Sequence, residues 1–204
     1  MCGASSTKTM QKNRLEAFSD GVIAIIITIM VLEMKAPHDA SPSALLPILP
    51  IFLSYVLSFI YVGIYWNNHH HLIHAVKKVS GGILWANLHL LFWLSLLPFT
   101  TAWAGENHFA NYPCLLYGVN LLMAAIAYWL LEYCIVSLEK EHHLLKQALN
   151  GDFKGKLSIL LYAIAIASAC FVPWLAVSLY IVVALLWLVP DRRIEQALKQ
   201  NHED

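Results

Sequence analysis

The sequence predicts an all-α integral membrane protein with six transmembrane helices in each chain. Hydrophobic residues make up 59% of the chain and charged residues only 13%, and the mean hydropathy of +0.60 lies outside the range of soluble proteins. The apolar residues gather into six segments, and nearly all basic residues fall on alternate connections between them. We expect one membrane domain over 1–204, with spans at about 16–34, 45–66, 82–103, 112–138, 157–172 and 174–189 and a soluble cytoplasmic tail at 190–204.

The first span follows a polar and basic N-terminal stretch that lacks the apolar core of a cleaved signal peptide. Between Gly21 and Leu32 the only polar residue is Thr28. At about 1.5 Å per residue, the segment from Arg14 to Leu32 covers roughly 27 Å, which is close to the thickness of the hydrocarbon core. Ile25 is therefore expected near the midplane of the bilayer.

Prolines mark the second and third spans. Those at the start of the second span fall in its first turns, where a missing N–H matters least. We predict that this helix ends near Trp66 and that residues 67–80, which include four histidines and two lysines, form a polar turn. Pro98 is expected to kink the third span.

The last three spans differ in length. The fourth is long enough to project beyond the bilayer, and a polar connector at 139–156 follows it. Helix-like spacing in that connector ends at the stop signal Asn150-Gly151. The fifth and sixth spans form a hairpin of two shorter helices, hinged at Pro173.

Basic residues predict the orientation in the membrane. Of the 13 lysines and arginines, all except Lys35 lie in the N-terminal segment, the second and fourth connections, and the tail. Because basic residues concentrate on the cytoplasmic side, both termini are expected in the cytoplasm.

The net charge is zero, and the chain has no basic and aromatic clusters of the kind that bind nucleic acid. We therefore expect no nucleic-acid partner.

The first helix carries an unusual pattern for a plain anchor. At about 100° per residue, one narrow stripe holds Arg14, Phe18, Gly21, Ile25, Thr28 and Leu32. Asp20 lies on a flank of this stripe with Ala17 and Ala24, small residues that allow a neighbouring helix to approach closely. A carboxylate is costly in lipid, so we expect Asp20 to face protein or a water-filled path.

These residues resemble a known family. The pattern R-x-x-x-F-S-D-G-V-x-A-I-x-x-T-x-x-x-L, which runs from Arg14 to Leu32, is similar to the signature of the transmembrane protein 175 family of potassium channels in its prokaryotic form. A second segment, W-x-x-H-H from Trp66 to His70, is similar to the element that follows the second helix in that family. The six-span layout matches the family over the whole chain.

The resemblance implies a potassium channel in a bacterial inner membrane, formed by four copies of this chain. Its pore would be lined by the first helix, with the narrowest point at Ile25, the Thr28 hydroxyls just beyond it, and Ile29 and Leu32 on the same part of the helix. The chain has no T-V-G-Y-G filter, so selectivity must come from side chains. The implied partners are potassium ions, the lipid bilayer and the other subunits, with no cofactor.

The resemblance also implies a structural network at the cytoplasmic end of the first helix. Its members would be Arg14, Ser19, Asp20, Trp66 and His70. A buried carboxylate needs donors, and a guanidinium, an indole N–H and an imidazole can supply them. The network would hold the first helix at a fixed rotation.

The sequence leaves two alternatives to a channel. Seven of the histidines, in three groups along the chain, could indicate a membrane di-iron hydroxylase, but such a site needs about eight converging imidazoles and nearby carboxylates. A secondary transporter usually shows inverted repeats and broken helices at the midplane, and neither is visible here. We therefore expect no enzyme, no catalytic residue and no metal site.

The 4 cysteines have no metal-like spacing and are expected to be unpaired, although Cys114 and Cys170 could meet.

Overall fold

The computed structural model of the chain describes residues 3–74, 76, 78–138 and 153–188, with side chains for 12–74, 76, 78–137 and 153–188. Its regular elements are α1 (Gly3–Leu32), a 3₁₀ helix (Pro42–Ile48), α2 (Leu49–His74), α3 (Gly81–Ser95), α4 (Leu97–Glu106), α5 (Asn111–Leu138), α6 (Phe153–Ala169) and α7 (Pro173–Leu188). The all-α class is therefore confirmed. The predicted tail, and the connector up to residue 152, lie outside the described residues.

By length and composition, 4 helical segments in the described ranges can cross a membrane: Lys12–Leu32, Pro42–His74, Gly81–Glu106 and Asn111–Ser137. The last two helices are shorter, with 17 residues in α6 and 16 in α7. At about 1.5 Å per residue they measure roughly 24–26 Å, somewhat less than the hydrocarbon core. The division into six spans stays a prediction.

The second span differs from expectation at both ends. It begins as a 3₁₀ helix, because Pro47 and Pro50 have no N–H with which to form regular α-helical bonds. At the other end α2 continues to His74, so the predicted turn after Trp66 is wrong. The polar residues there include no glycine or proline that would stop a helix. Lys12 of α1 donates from Nζ to the terminal carbonyl of His74 over 2.8 Å.

The predicted kink at Pro98 is confirmed as a one-residue interruption between α3 and α4 within one membrane-crossing segment. The break falls at Leu96, because the proline has no N–H to donate to the preceding turn. The start of α3 is capped by Ser80, whose Oγ accepts a hydrogen bond from the Ile83 N–H over 3.3 Å. This break gives the third span two helical halves.

The helices pack so that α1 lies at the edge of the bundle. It contacts α2, α3 and α4, whereas α5 contacts α3, α4, α6 and α7. The Tyr61 hydroxyl of α2 donates to the Tyr180 carbonyl of α7 over 2.6 Å. Ser58 of α2 shares hydrogen bonds with Thr101 of α4 over 2.7 Å and with Tyr117 of α5 over 2.9 Å. Polar bonds thus join α2, α4, α5 and α7, and one side of α1 is left uncovered.

Candidate functional site on the first helix

The two faces of α1 have opposite surroundings. One face packs against the bundle through Leu15, Ser19, Ile23, Ile26 and Met30, all of them buried. The opposite face is exposed in the single chain and carries the predicted stripe: Arg14, Phe18, Gly21, Ile25, Thr28 and Leu32. Both sets repeat every three or four residues, as the helical period requires. The pattern therefore separates a packing face from an unpartnered face along the whole membrane-crossing part of α1.

The middle of the unpartnered face is apolar except for one hydroxyl. Ile25 is 59% exposed, Leu32 is 73% exposed, and Ile29, at the edge of the face, is 41% exposed. Thr28 lies between them and donates from Oγ1 to the Ala24 carbonyl over 2.9 Å. Its proton is thus used inside the helix, and the lone pairs of the hydroxyl oxygen remain available to a ligand on the exposed side.

Asp20 and Trp66 are brought together at the predicted position. The Trp66 Nε1–H donates to Asp20 Oδ1 over 3.0 Å, which ties α1 to α2. The His70 ring stacks on Trp66, with centroids 6.1 Å apart. However, His70 does not bond to Asp20. Its Nδ1 lies 3.1 Å from Glu16 Oε1, one turn earlier on α1.

Ser19 belongs to a different, fully buried set of residues. Asn87 of α3 donates from Nδ2 to Ser19 Oγ over 2.9 Å, and its Oδ1 lies 2.7 Å from His69 Nε2. The three side chains are at most 1% exposed. Ser19 in turn donates to the Leu15 carbonyl of its own helix over 2.9 Å. This chain of hydrogen bonds joins α1, α2 and α3 in the protein interior.

Arg14 is not part of either set within one chain. Its side chain is exposed, and no described residue forms a hydrogen bond or ion pair with it. Arg14 and Asp20 are six residues apart, which places them about 120° apart around the helix and roughly 9 Å along it. The single network expected from the resemblance is thus corrected to two separate sets of contacts, with Arg14 turned outward. The structural role assigned to these residues stays a prediction.

Asn87 and Glu16 were not predicted as site residues, and His69 was considered only for a di-iron site. The signal for His69 was present, because the buried face of α2 runs through Ser54, Ser58, Tyr61 and Tyr65 and reaches His69 at the next step. Because the helix was predicted to end at Trp66, His69 was not recognised as part of this buried face. Asn87 gave no signal, since a lone amide in an apolar span has many possible partners.

The histidines considered for a di-iron site do not converge among the described residues. The His89 Nε2 accepts a hydrogen bond from Trp93 on its own helix over 3.0 Å, and His142 and His143 lie outside the described residues. One group of possible metal ligands is present in the described ranges, formed by Glu16, His70 and His74. Cys114, Cys134 and Cys170 are free thiols.

Comparisons with known proteins point to one family. The sequence model described as the endosomal/lysosomal potassium channel TMEM175 matches residues 14–98. A protein of Chryseobacterium sp. (strain P1-3) named as a potassium channel is 59% identical over 192 residues, covering 94% of this chain and 100% of that protein. A protein of Streptomyces collinus with the same description is 33% identical over 126 residues, covering 58% of this chain and 61% of that one.

A solved structure agrees with these matches. The crystal structure of a lysosomal potassium-selective channel TMEM175 homolog from Chamaesiphon minutus is 28% identical and has a TM-score of 0.77. The match covers 87% of this chain and 96% of that one. Similarity in sequence therefore extends over the whole of one relative, and similarity in fold over nearly the whole of another. This chain belongs to the TMEM175 family.

Proposed function

We propose that the chain is one subunit of a potassium-selective ion channel, in which cations pass passively through a homotetrameric pore. The observation that carries the proposal is the unpartnered face of α1, which is exposed at Ile25 and Leu32 while the opposite face is packed. A face turned to lipid would need neither Gly21 nor Thr28, nor a guanidinium at its end. Relatives named as potassium channels support the same assignment.

The proposed pore follows from symmetry. One α1 helix cannot enclose a path, but four copies around an axis would place Ile25, Thr28 and Leu32 in successive rings, with Ile29 beside them. The Ile25 ring, near the middle of the membrane, is the proposed constriction. Four isoleucine side chains would exclude water there, which raises a barrier to a hydrated ion.

Selectivity is proposed to come from side chains of α1. The Thr28 hydroxyl proton is held by the Ala24 carbonyl, so each hydroxyl oxygen can accept a cation beyond the Ile25 ring. A large, weakly hydrated cation sheds water at lower cost than a small one. We therefore expect potassium to pass more easily than sodium, with modest discrimination because no carbonyl cage replaces the hydration shell.

We further propose a bacterial inner-membrane location with six spans and both termini in the cytoplasm. The shorter helices α6 and α7 would complete the six, supported by the distribution of the basic residues. The role is not enzymatic. The Asp20–Trp66 hydrogen bond would fix the rotation of α1, which keeps Ile25 turned toward the axis.

Liposome flux tests the proposal. Purified protein is reconstituted into vesicles with a potassium gradient, and flux is started with a proton ionophore. We expect potassium flux that protein-free vesicles lack and that is slower in a sodium gradient. Saturable exchange that requires a second ion would instead indicate a transporter. Absence of flux from correctly inserted protein would contradict the channel.

A further inference from the structure

Glu16, His70 and His74 form a compact cluster where α1 meets the end of α2. His70 Nδ1 lies 3.1 Å from Glu16 Oε1, and His74 Nε2 lies 4.0 Å from the same oxygen. The ligand atoms of all three residues lie within 4.8 Å of one another. His70 also stacks on Trp66, but Glu16 and His74 belong neither to the unpartnered face of α1 nor to the buried Ser19–Asn87–His69 set.

The spacing of these atoms suits a transition-metal ion. Two imidazole nitrogens and one carboxylate oxygen are ligands that Zn²⁺ and related divalent ions accept. Around a tetrahedral ion with bonds of about 2.0 Å, the ligand atoms lie roughly 3.3 Å apart. The separations of 3.1 and 4.0 Å from Glu16 Oε1 lie on either side of that value, and the two histidine nitrogens lie within 4.8 Å of each other.

The position of the cluster also favours access by an ion. The side chains of Glu16, His70 and His74 are 22%, 39% and 56% exposed, so solvent reaches the cluster and a water molecule can complete the coordination. The two histidines are four residues apart on α2, which places them on the same side of the helix. Lys12 bonds to the His74 carbonyl and holds the end of α2 against α1.

We propose that Glu16, His70 and His74 bind a divalent d-block cation of the Zn²⁺ class. The bound ion links α1 to α2 beside the Asp20–Trp66 hydrogen bond. Binding to the folded chain raises its stability, because the unfolded chain does not hold the three ligands together. The site is independent of whether the chain conducts ions.

Zinc titration of the full chain tests this site. The protein, freed of any polyhistidine tag, is titrated with Zn²⁺ against a coloured chelator in detergent, and its thermal unfolding is followed with and without Zn²⁺. We expect one Zn²⁺ per chain with micromolar affinity and a higher unfolding temperature. The variants H70A, H74A and E16Q should each bind Zn²⁺ at least about tenfold more weakly than the unaltered chain. E16Q keeps the size of the side chain, so it separates lost binding from lost folding.

Two histidine variants serve as controls. His71 is on the same turn of α2 but is not among the ligands. His38 is exposed in the loop after α1, which the predicted orientation places on the other side of the membrane. H71A and H38A should bind Zn²⁺ as the unaltered chain does. The proposal is overturned if the chain binds only at millimolar Zn²⁺. It is equally overturned if E16Q, H70A and H74A together leave the affinity unchanged, or if H71A weakens binding as much as H70A. In those cases Glu16 and His70 form a hydrogen-bonded pair and nothing more.

Discussion

Asn87 connects three helices through a single side chain. Replacing it with alanine leaves Ser19 Oγ and His69 Nε2 buried without their partner. Each buried group that loses a hydrogen bond costs about 1–3 kcal/mol, so we expect N87A to lower the free energy of unfolding by several times the effect of a surface change. Thermal unfolding in detergent measures the loss.

The matched control is Asn67, a half-buried amide on α2 with no hydrogen-bond partner among the described residues. The free energy of unfolding of N67A should lie within about 0.5 kcal/mol of that of the unaltered chain. Equal stability of N87A and N67A would mean that water replaces the Asn87 amide and that the site is less closed than its burial indicates.

At the same scale, the sequence predicted part of the candidate site. The exposed stripe and the meeting of Asp20 with Trp66 follow from the helical period and from the family pattern. The family pattern selects His70, whereas the buried histidine is His69, because the polar residues after Trp66 continue α2 and do not form the predicted turn. Polarity does not end a helix when glycine and proline are absent and the buried face continues. The outward position of Arg14 agrees with its place on the stripe, whereas its expected contact with Asp20 does not form within the described chain.

Among the helices, the sequence predicted the apolar elements well and their ends less well. The break at Pro98 followed from chemistry that does not depend on neighbours, namely the missing N–H. The last turn of α2 is additionally held by Lys12 from another helix. Local sequence does not contain that contact.

Close approach of α2 and α4 at Gly105 gives a prediction at this scale. A Cβ added there would lie 2.7 Å from the Cα of Ile51 and 2.5 Å from Ser54 Oγ. Backbone cannot move aside as a flexible side chain does, so we expect G105A to lower the free energy of unfolding by about 1–3 kcal/mol. Gly63 of α2 has no atom within 4 Å of its added Cβ, so G63A should be nearly neutral. Thermal unfolding of both variants checks the pair, and a tolerant G105A would mean that the two helices are farther apart in the membrane.

For the whole molecule, the unpartnered face of α1 predicts assembly. A chain of 23.0 kDa should be found in mild detergent with the mass of four chains, measured by mass photometry after subtraction of the detergent.

D20A removes the acceptor of the Trp66 N–H and should reduce the fraction of tetramer, whereas D20N keeps an oxygen and should retain most of it. Monomers or dimers alone in mild detergent would contradict the pore. A D20A tetramer as stable as the unaltered one would mean that Asp20 faces solvent.

The Ile25 ring gives the sharpest test of the whole assembly. If four Ile25 side chains close the pore, I25N wets the constriction and lets partly hydrated ions through. Conductance should rise while discrimination between potassium and sodium falls. T28V should instead lower selectivity without widening the path, because it removes a hydroxyl at nearly constant volume. Reversal potentials under potassium and sodium gradients measure both effects.

Ile181 of α7 supplies the control for this substitution. It is 43% exposed and apolar, and its helix packs mainly against α2, α5 and α6, so in the proposed assembly we expect it to face lipid. I181N should impair insertion or stability and leave the reversal potential of any remaining current unchanged. If Ile25 also faced lipid, I25N would behave in the same way. An unshifted reversal potential in I25N would therefore remove Ile25 from the pore and require the unpartnered face of α1 to be assigned to the bilayer.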